Sequence, residues 1–109
     1  IQNGNGISKE FSLYQNYPNP FNPSTVIRFS IPLSREMGRR GVFVSLLVYN
    51  TLGQMVETLV NNELKPGSYE ITFDAGKFSS GIYFYRIEAV QNISGGEKFI
   101  KTRKMVLVK

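Results

Sequence analysis

Four cations crowd the last nine residues, Lys101-Thr102-Arg103-Lys104-Met105-Val106-Leu107-Val108-Lys109. Ammonium and guanidinium groups at this density can bind carboxylates or other anions, or can blunt a strand edge against aggregation. They do not by themselves make or break bonds. The side chains that do are nearly missing. The chain has no Cys and no His, and Asp74 is its sole Asp. That removes Ser-His-Asp machinery, His or Cys zinc sites and Asp-rich calcium loops. The Glu residues are widely separated, so their spacing gives no support to a carboxylate pair for glycoside hydrolysis. No cofactor or metal is implied. Two readings stay open for the C-terminal stretch 101–109: a surface to be recognised, or cations that only blunt a strand edge, and the second is the simpler one on the residues alone.

The 109 residues amount to one domain, with 41% hydrophobic and 13% aromatic side chains to fill a core. Net charge is +5. Such a balance is compatible with nucleic acid or an anionic surface, but no phosphate loop, RNA-binding signature or basic helix accompanies it. A solvated basic face is the simpler reading. No apolar run approaches the ~20 residues of a membrane-spanning helix. The polar, Gly-rich start, Ile1-Gln-Asn-Gly-Asn-Gly6, lacks Met and reads as linker. The expected division is a linker over 1–10 and a folded unit over 11–109.

Period-two runs separated by turn signals predict strands throughout, and no helical period appears. Phe11 to Tyr14 is a short first strand. Thr25, Ile27, Phe29 and Ile31 form one face of a second. Val42, Val44, Leu46 and Val48 form one face of a third, whose other face is also apolar, as in a central strand. Gln54 to Asn61 is a weaker fourth. Tyr69, Ile71 and Phe73 alternate with Glu70, Thr72 and Asp74 in a fifth. Tyr83, Tyr85, Ile87 and Ala89 mark a sixth. Lys98 to Val108 is the last, with charge on both faces around Arg103 and Lys104. A bulge or an uncovered face would account for that. Seven short strands with turns every ~8–12 residues predict an all-β, immunoglobulin-like antiparallel sandwich.

The turns have mechanisms. Asn50-Thr-Leu-Gly53 fits a tight hairpin with Gly53 left-handed. Pro66-Gly67 fits the centre of a type II turn. Ser94-Gly95-Gly96 separates the last two strands, and 33–41 reads as a charged, disordered loop. Asn92-Ile-Ser94 has the form of a glycosylation sequon but reads as part of a turn. Tyr17-Pro18-Asn19-Pro20-Phe21-Asn22-Pro23 is a stiff, ladder-poor segment, because each proline fixes its own φ and extends the residue before it. It could present Phe21 to a partner. The plainer reading is a rigid crossover with Phe21 in the core.

Taken in order, Tyr17–Thr25, Val48-Tyr-Asn-Thr-Leu-Gly-Gln-Met-Val56, Gly81-Ile-Tyr-Phe-Tyr-Arg86 and Lys101-Thr-Arg-Lys-Met-Val106 resemble the type A C-terminal sorting domain of the type IX secretion system. The resemblance runs from about Phe11 to Lys109. The prolyl motif and the basic terminal strand are its specific parts. The middle motifs are also similar to an immunoglobulin-like domain of flagellar hook-capping proteins. One departure is the loop 34–41, longer and more basic than the family's short turn.

The resemblance implies a seven-stranded sandwich at the C-terminus of a larger exported cargo of Bacteroidetes and related phyla. It implies recognition by outer-membrane translocon components after Sec export to the periplasm. Some cargoes of this kind are cut ahead of the domain by a sortase-like peptidase and attached to the cell surface; others keep it. Carried onto this chain, translocon recognition falls on Lys101 to Lys109, and a processing site would fall before Phe11. The alternatives are a structural immunoglobulin-like spacer and a carbohydrate-binding module using tyrosines such as Tyr14, Tyr17, Tyr49 and Tyr83. The latter is disfavoured because there is no Trp and most tyrosines fall at positions expected to face the core.

Overall fold

A computed structural model describes residues 2–4, 10–33, 41–91 and 98–109. It contains eight strands: β1 (Gln2–Gly4), β2 (Ser12–Leu13), β3 (Ser24–Ile31), β4 (Val42–Tyr49), β5 (Met55–Leu64), β6 (Gly67–Asp74), β7 (Gly81–Val90) and β8 (Lys98–Leu107). They form two four-stranded sheets, ordered β1-β6-β3-β2 and β5-β4-β7-β8. Every strand pairing is antiparallel. The result is the all-β sandwich expected from the alternation. Among the described residues no helix is long and apolar enough to cross a membrane.

The period-two residues meet between the sheets. Ile27, Phe29 and Ile31 of β3 and Phe73 of β6 face Val42, Val44, Leu46 and Val48 of β4 and Tyr85 and Ile87 of β7; all are almost wholly buried. β4 lies between β5 and β7, as its two apolar faces suggested. Its outer face is only partly covered, and Phe43 is 46% exposed. Ile71, expected in the core, is partly buried against it. Its position is the one break in an otherwise strict alternation on β6.

Three local expectations change. Part of the segment read as linker is an edge strand: Gln2, Asn3 and Gly4 pair with Glu70, Tyr69 and Ser68. A ladder uses main-chain groups, so a polar, Gly-rich composition does not forbid it. Gly67 has φ 150°, not the ~80° of a type II turn, and it opens β6. The reason is topological. β5 and β6 lie in different sheets, so Pro66-Gly67 redirects the chain between layers instead of closing a hairpin. Tyr14 and Tyr17 are 48% and 80% exposed. They lie at the end of β2 and beyond it, where strand alternation has stopped.

The hairpin at 50–54 is as expected. Gly53 has φ 81°, Gly53 N donates to Asn50 O at 3.1 Å, and the Asn50 Oδ1 accepts from Leu52 N and Gln54 N, both at 3.0 Å. An Asn side chain that caps its own turn explains the choice of residue. The readings of 34–40 as a charged loop and of Ser94-Gly95-Gly96 as a turn lie outside the described residues.

Candidate functional site

β8 is the edge strand of its sheet, paired on one side only, with β7, from Gly81↔Leu107 to Val90↔Lys98 without a register shift. The mixed charge parity therefore does not come from a bulge. Odd residues of β8 point between the sheets. Met105 and Leu107 fill the core there, while Lys101 and Arg103 lie where the facing sheet thins to the two-residue β2. An uncovered face, the second of the two explanations above, accounts for the charges.

The other edge of β8 is held by the prolyl segment. Between β2 and β3 the chain must leave one sheet's edge and turn back. Three prolines, with no N–H and fixed φ, keep it out of the regular ladder. It returns to β3 through a two-way pair, Tyr17 N to Val26 O at 3.0 Å and Val26 N to Tyr17 O at 2.9 Å. The residues between the prolines then reach across. Asn19 Oδ1 accepts from Val106 N at 2.9 Å. Phe21 N donates to Val106 O and Val108 N donates to Phe21 O, both at 2.9 Å. Upstream, Gln15 Nε2 donates to Lys104 O at 2.7 Å, and Arg103 Nε donates to Leu13 O at 2.6 Å. The motif, with Gln15 just upstream, is thus a strap across the outward edge of β8 from 104 to 108.

Phe21 anchors the strap. It is 2% exposed, and its ring lies 6.1 Å from that of Phe73, which in turn lies 5.9 Å from Phe78. The crossover reading of the motif is the correct one, and Phe21 is not available to a partner. Pro18, Asn19, Pro20, Asn22 and Pro23 are exposed, while the Pro23 carbonyl accepts from Ala75 N at 2.8 Å.

A buried polar group sits beneath the strap. Asn16 is 2% and Thr25 1% exposed. Asn16 N donates to the Tyr85 hydroxyl at 2.8 Å, and that hydroxyl donates to Tyr14 O at 2.7 Å. Asn16 Nδ2 donates to Thr25 Oγ1 at 3.0 Å and to Pro18 O at 3.1 Å. Thr25 Oγ1 donates to the same carbonyl at 2.8 Å. These bonds satisfy main-chain groups that a proline-rich segment cannot place in a sheet. Sequence reasoning missed Gln15, Asn16 and the Tyr85 hydroxyl. Apolar alternation marks Tyr85 as core but says nothing about what its hydroxyl meets.

Burial pushes the Tyr85 hydroxyl above its ordinary pKa, against the opposing pull of the Asn16 bond and the Arg103 charge. Burial likewise raises Tyr69, against its bond to Lys65 O. In both cases the folded state holds the proton more tightly than the unfolded chain. The associated stability is complete below the ordinary value of 10.0 and is lost as pH rises through the raised values. The melting temperature is therefore expected to fall in the alkaline range above about pH 10, and Tyr85→Phe to make that fall shallower. A melting temperature unchanged across that range would contradict it.

The expected recognition residues do not form one surface. Lys101, Thr102, Lys104, Val108 and Lys109 are exposed, Arg103 and Val106 are half-buried, and Met105 and Leu107 are buried. Lys104 is on the outer face of the sheet and Lys101 on the inner side, so the two bracket the strand. Lys109 is tied down, its N donating to Ser80 Oγ at 2.9 Å and its Nζ to Gly76 O. Gly81, with φ 154°, opens β7 opposite Leu107. Among the described residues no group of His, Cys, Asp or Glu could hold a metal ion.

Comparison with known proteins gives two findings. Among solved structures, CopC from Methylosinus trichosporium OB3b is similar, with a TM-score of 0.51 and 18% identity over 90% of this chain and 93% of that one. At that identity the likeness concerns the fold alone. No curated protein sequence matches closely enough to count as a relative. Residues 15–102 match the family described as Secretion system C-terminal sorting domain, a span that begins in the strap and ends within β8. With most of its length in that match, the chain belongs to the C-terminal sorting domains of the type IX secretion system.

Proposed function

We propose that this domain is a non-enzymatic signal that directs a larger cargo protein across the outer membrane, and that the exposed basic residues of β8 are what the secretion apparatus reads. Membership of the sorting-domain family supports export to the cell surface or beyond. The route through the periplasm and the partners, outer-membrane and sortase-like components, belong to this proposal. The observation that carries it is the placement of Lys101 and Lys104. Both are exposed on an edge strand whose apolar neighbours Met105 and Leu107 are locked in the core. The folded domain thus offers cations to a partner while the apolar Met105 and Leu107 stay in the core. Lys109 and Arg103 already serve internal contacts.

The test is a reporter fused to residues 1–109 in a cell with a type IX apparatus. It should leave the cell, and the same reporter lacking Lys101 to Lys109 should accumulate in the periplasm. That deletion also removes the core residues Met105 and Leu107, so a gentler variant separates signal from fold. Lys101→Gln with Lys104→Gln removes two exposed charges and leaves the Arg103–Leu13 bond intact. It should melt within a few tenths of a kcal/mol of the parent, as surface changes usually do, while export falls sharply. Undiminished export of that folded variant would refute the role of the basic residues.

A further inference from the structure

The strap covers only part of the edge of β8, and the uncovered part has a definite pattern. In an antiparallel pair the main-chain groups of alternate residues point away from the partner strand. Val106 N and O, Val108 N and Lys104 O all point away from β7, because the strap bonds them. The β7–β8 register is unbroken, so Ile100 and Thr102 share that orientation. Their outward N–H and C=O groups, and the Lys104 N–H, meet no hydrogen-bonding partner among the described residues. The strap therefore closes one half of the edge and stops where the other half begins.

We infer that Ile100 to Lys104 is a docking edge at which an extended, acidic peptide segment of a partner protein adds as a further strand. An exposed run of unpaired main-chain groups is a template for strand addition. Charge complementarity identifies the occupant. Lys101 on the inner side and Lys104 on the outer side flank the open groups, both exposed and neither in an ion pair with a described residue. A strand lying beside Thr102 would send alternate side chains to the two faces, and carboxylates there would meet one lysine on each. Lys98 is less available, since its Nζ is 3.1 Å from Glu88 Oε1. This deepens the proposed function and rests on it, because it names how the apparatus would engage the same strand.

Thr102→Pro is the discriminating variant. It deletes an outward N–H that the fold does not use, and proline is tolerated on strand edges where the N–H faces solvent. Thr102→Val keeps the N–H and serves as control. The first readout uses the unmodified 109-residue chain and a short fluorescent peptide of alternating valine and glutamate. Its addition should slow amide exchange at Ile100, Thr102 and Lys104, and a valine–lysine peptide should not. Unchanged exchange, or equal protection by both peptides, overturns the inference whether or not any variant folds. The second readout is affinity for the acidic peptide. Loss of one backbone bond should weaken it about threefold to tenfold in Thr102→Pro and leave it unchanged in Thr102→Val. Equal affinity in both variants would overturn it. The reporter separates the two levels. Failure of the parent chain to be exported sinks the sorting role, whereas normal export of a folded Thr102→Pro variant sinks strand addition alone.

Discussion

Phe21→Ala is expected to cost about 3–5 kcal/mol, the usual range for a buried aromatic truncated in a core. For a domain of this size that corresponds to a melting temperature lower by about 12–20 °C. Phe21 ranks this high because it acts at two levels. The residue is 2% exposed, and its ring packs tilted against that of Phe73. Its main chain also bonds Val106 O and Val108 N. Loss of the ring loosens the anchor of a segment that otherwise holds the edge of β8 through single bonds from Asn19, Gln15 and Arg103. Amide exchange at Val106 and Val108 should therefore speed up more than exchange at Leu46 or Ile87 in the central strands. A cost below about 1 kcal/mol, with exchange at Val106 unchanged, would mean that the polar bonds hold the strap without Phe21.

Phe73→Ala should cost a similar amount, about 3–5 kcal/mol. Phe73 is 1% exposed and packs against the rings of both Phe21 and Phe78. Its neighbour on the opposite face of β6 gives the contrast. The Glu70 side chain is 44% exposed and pairs with Arg28 at 2.9 Å, so Glu70→Ala should cost under about 1 kcal/mol, as exposed ion pairs do. Equal costs at the two positions would mean that the faces of β6 are reversed. Because the Phe21 and Phe73 rings are neighbours, with centroids 6.1 Å apart, the double variant should lose less than the sum of the single losses. Denaturant melts of the four variants, three single and one double, supply all the numbers needed.

These expectations bear on function through the same strand. The strap covers the apolar half of β8, where Met105 and Leu107 are wholly buried, and leaves its basic half accessible. A domain with an unfastened strap would expose the main-chain edge of 104–108 as a second site for pairing. Edges of that kind favour aggregation, so Phe21→Ala is also expected to lower soluble yield. The prolyl motif and the apolar end of the terminal strand, far apart in sequence, thus form one structural unit.

Much of the architecture was legible from side-chain order alone. Alternation in Thr25–Ile31, Val42–Tyr49 and Tyr83–Ala89 marked strands and their inward faces, because a sandwich core selects every second residue for apolar character. Asn50–Gly53 announced its hairpin, because only a few residue types satisfy that backbone geometry. The absence of His and Cys removed the side chains of several catalytic and metal-binding arrangements, and four motifs in order carried the resemblance to sorting domains. Tertiary structure alone decided the rest. Gln2–Gly4 joins a sheet through main-chain bonds that no side chain encodes. Gly67 turns the chain between layers because β5 and β6 belong to different sheets. Tyr14 and Tyr17 face solvent while Asn16 between them is buried, since a proline-rich crossover has no fixed period. Above all, the division of the edge of β8 into a strapped half and an open half depends on residues 87 and 89 positions apart meeting in space. Local sequence specifies which side chains can be buried or turned. Which main-chain edges remain unpaired is settled only when the layers close.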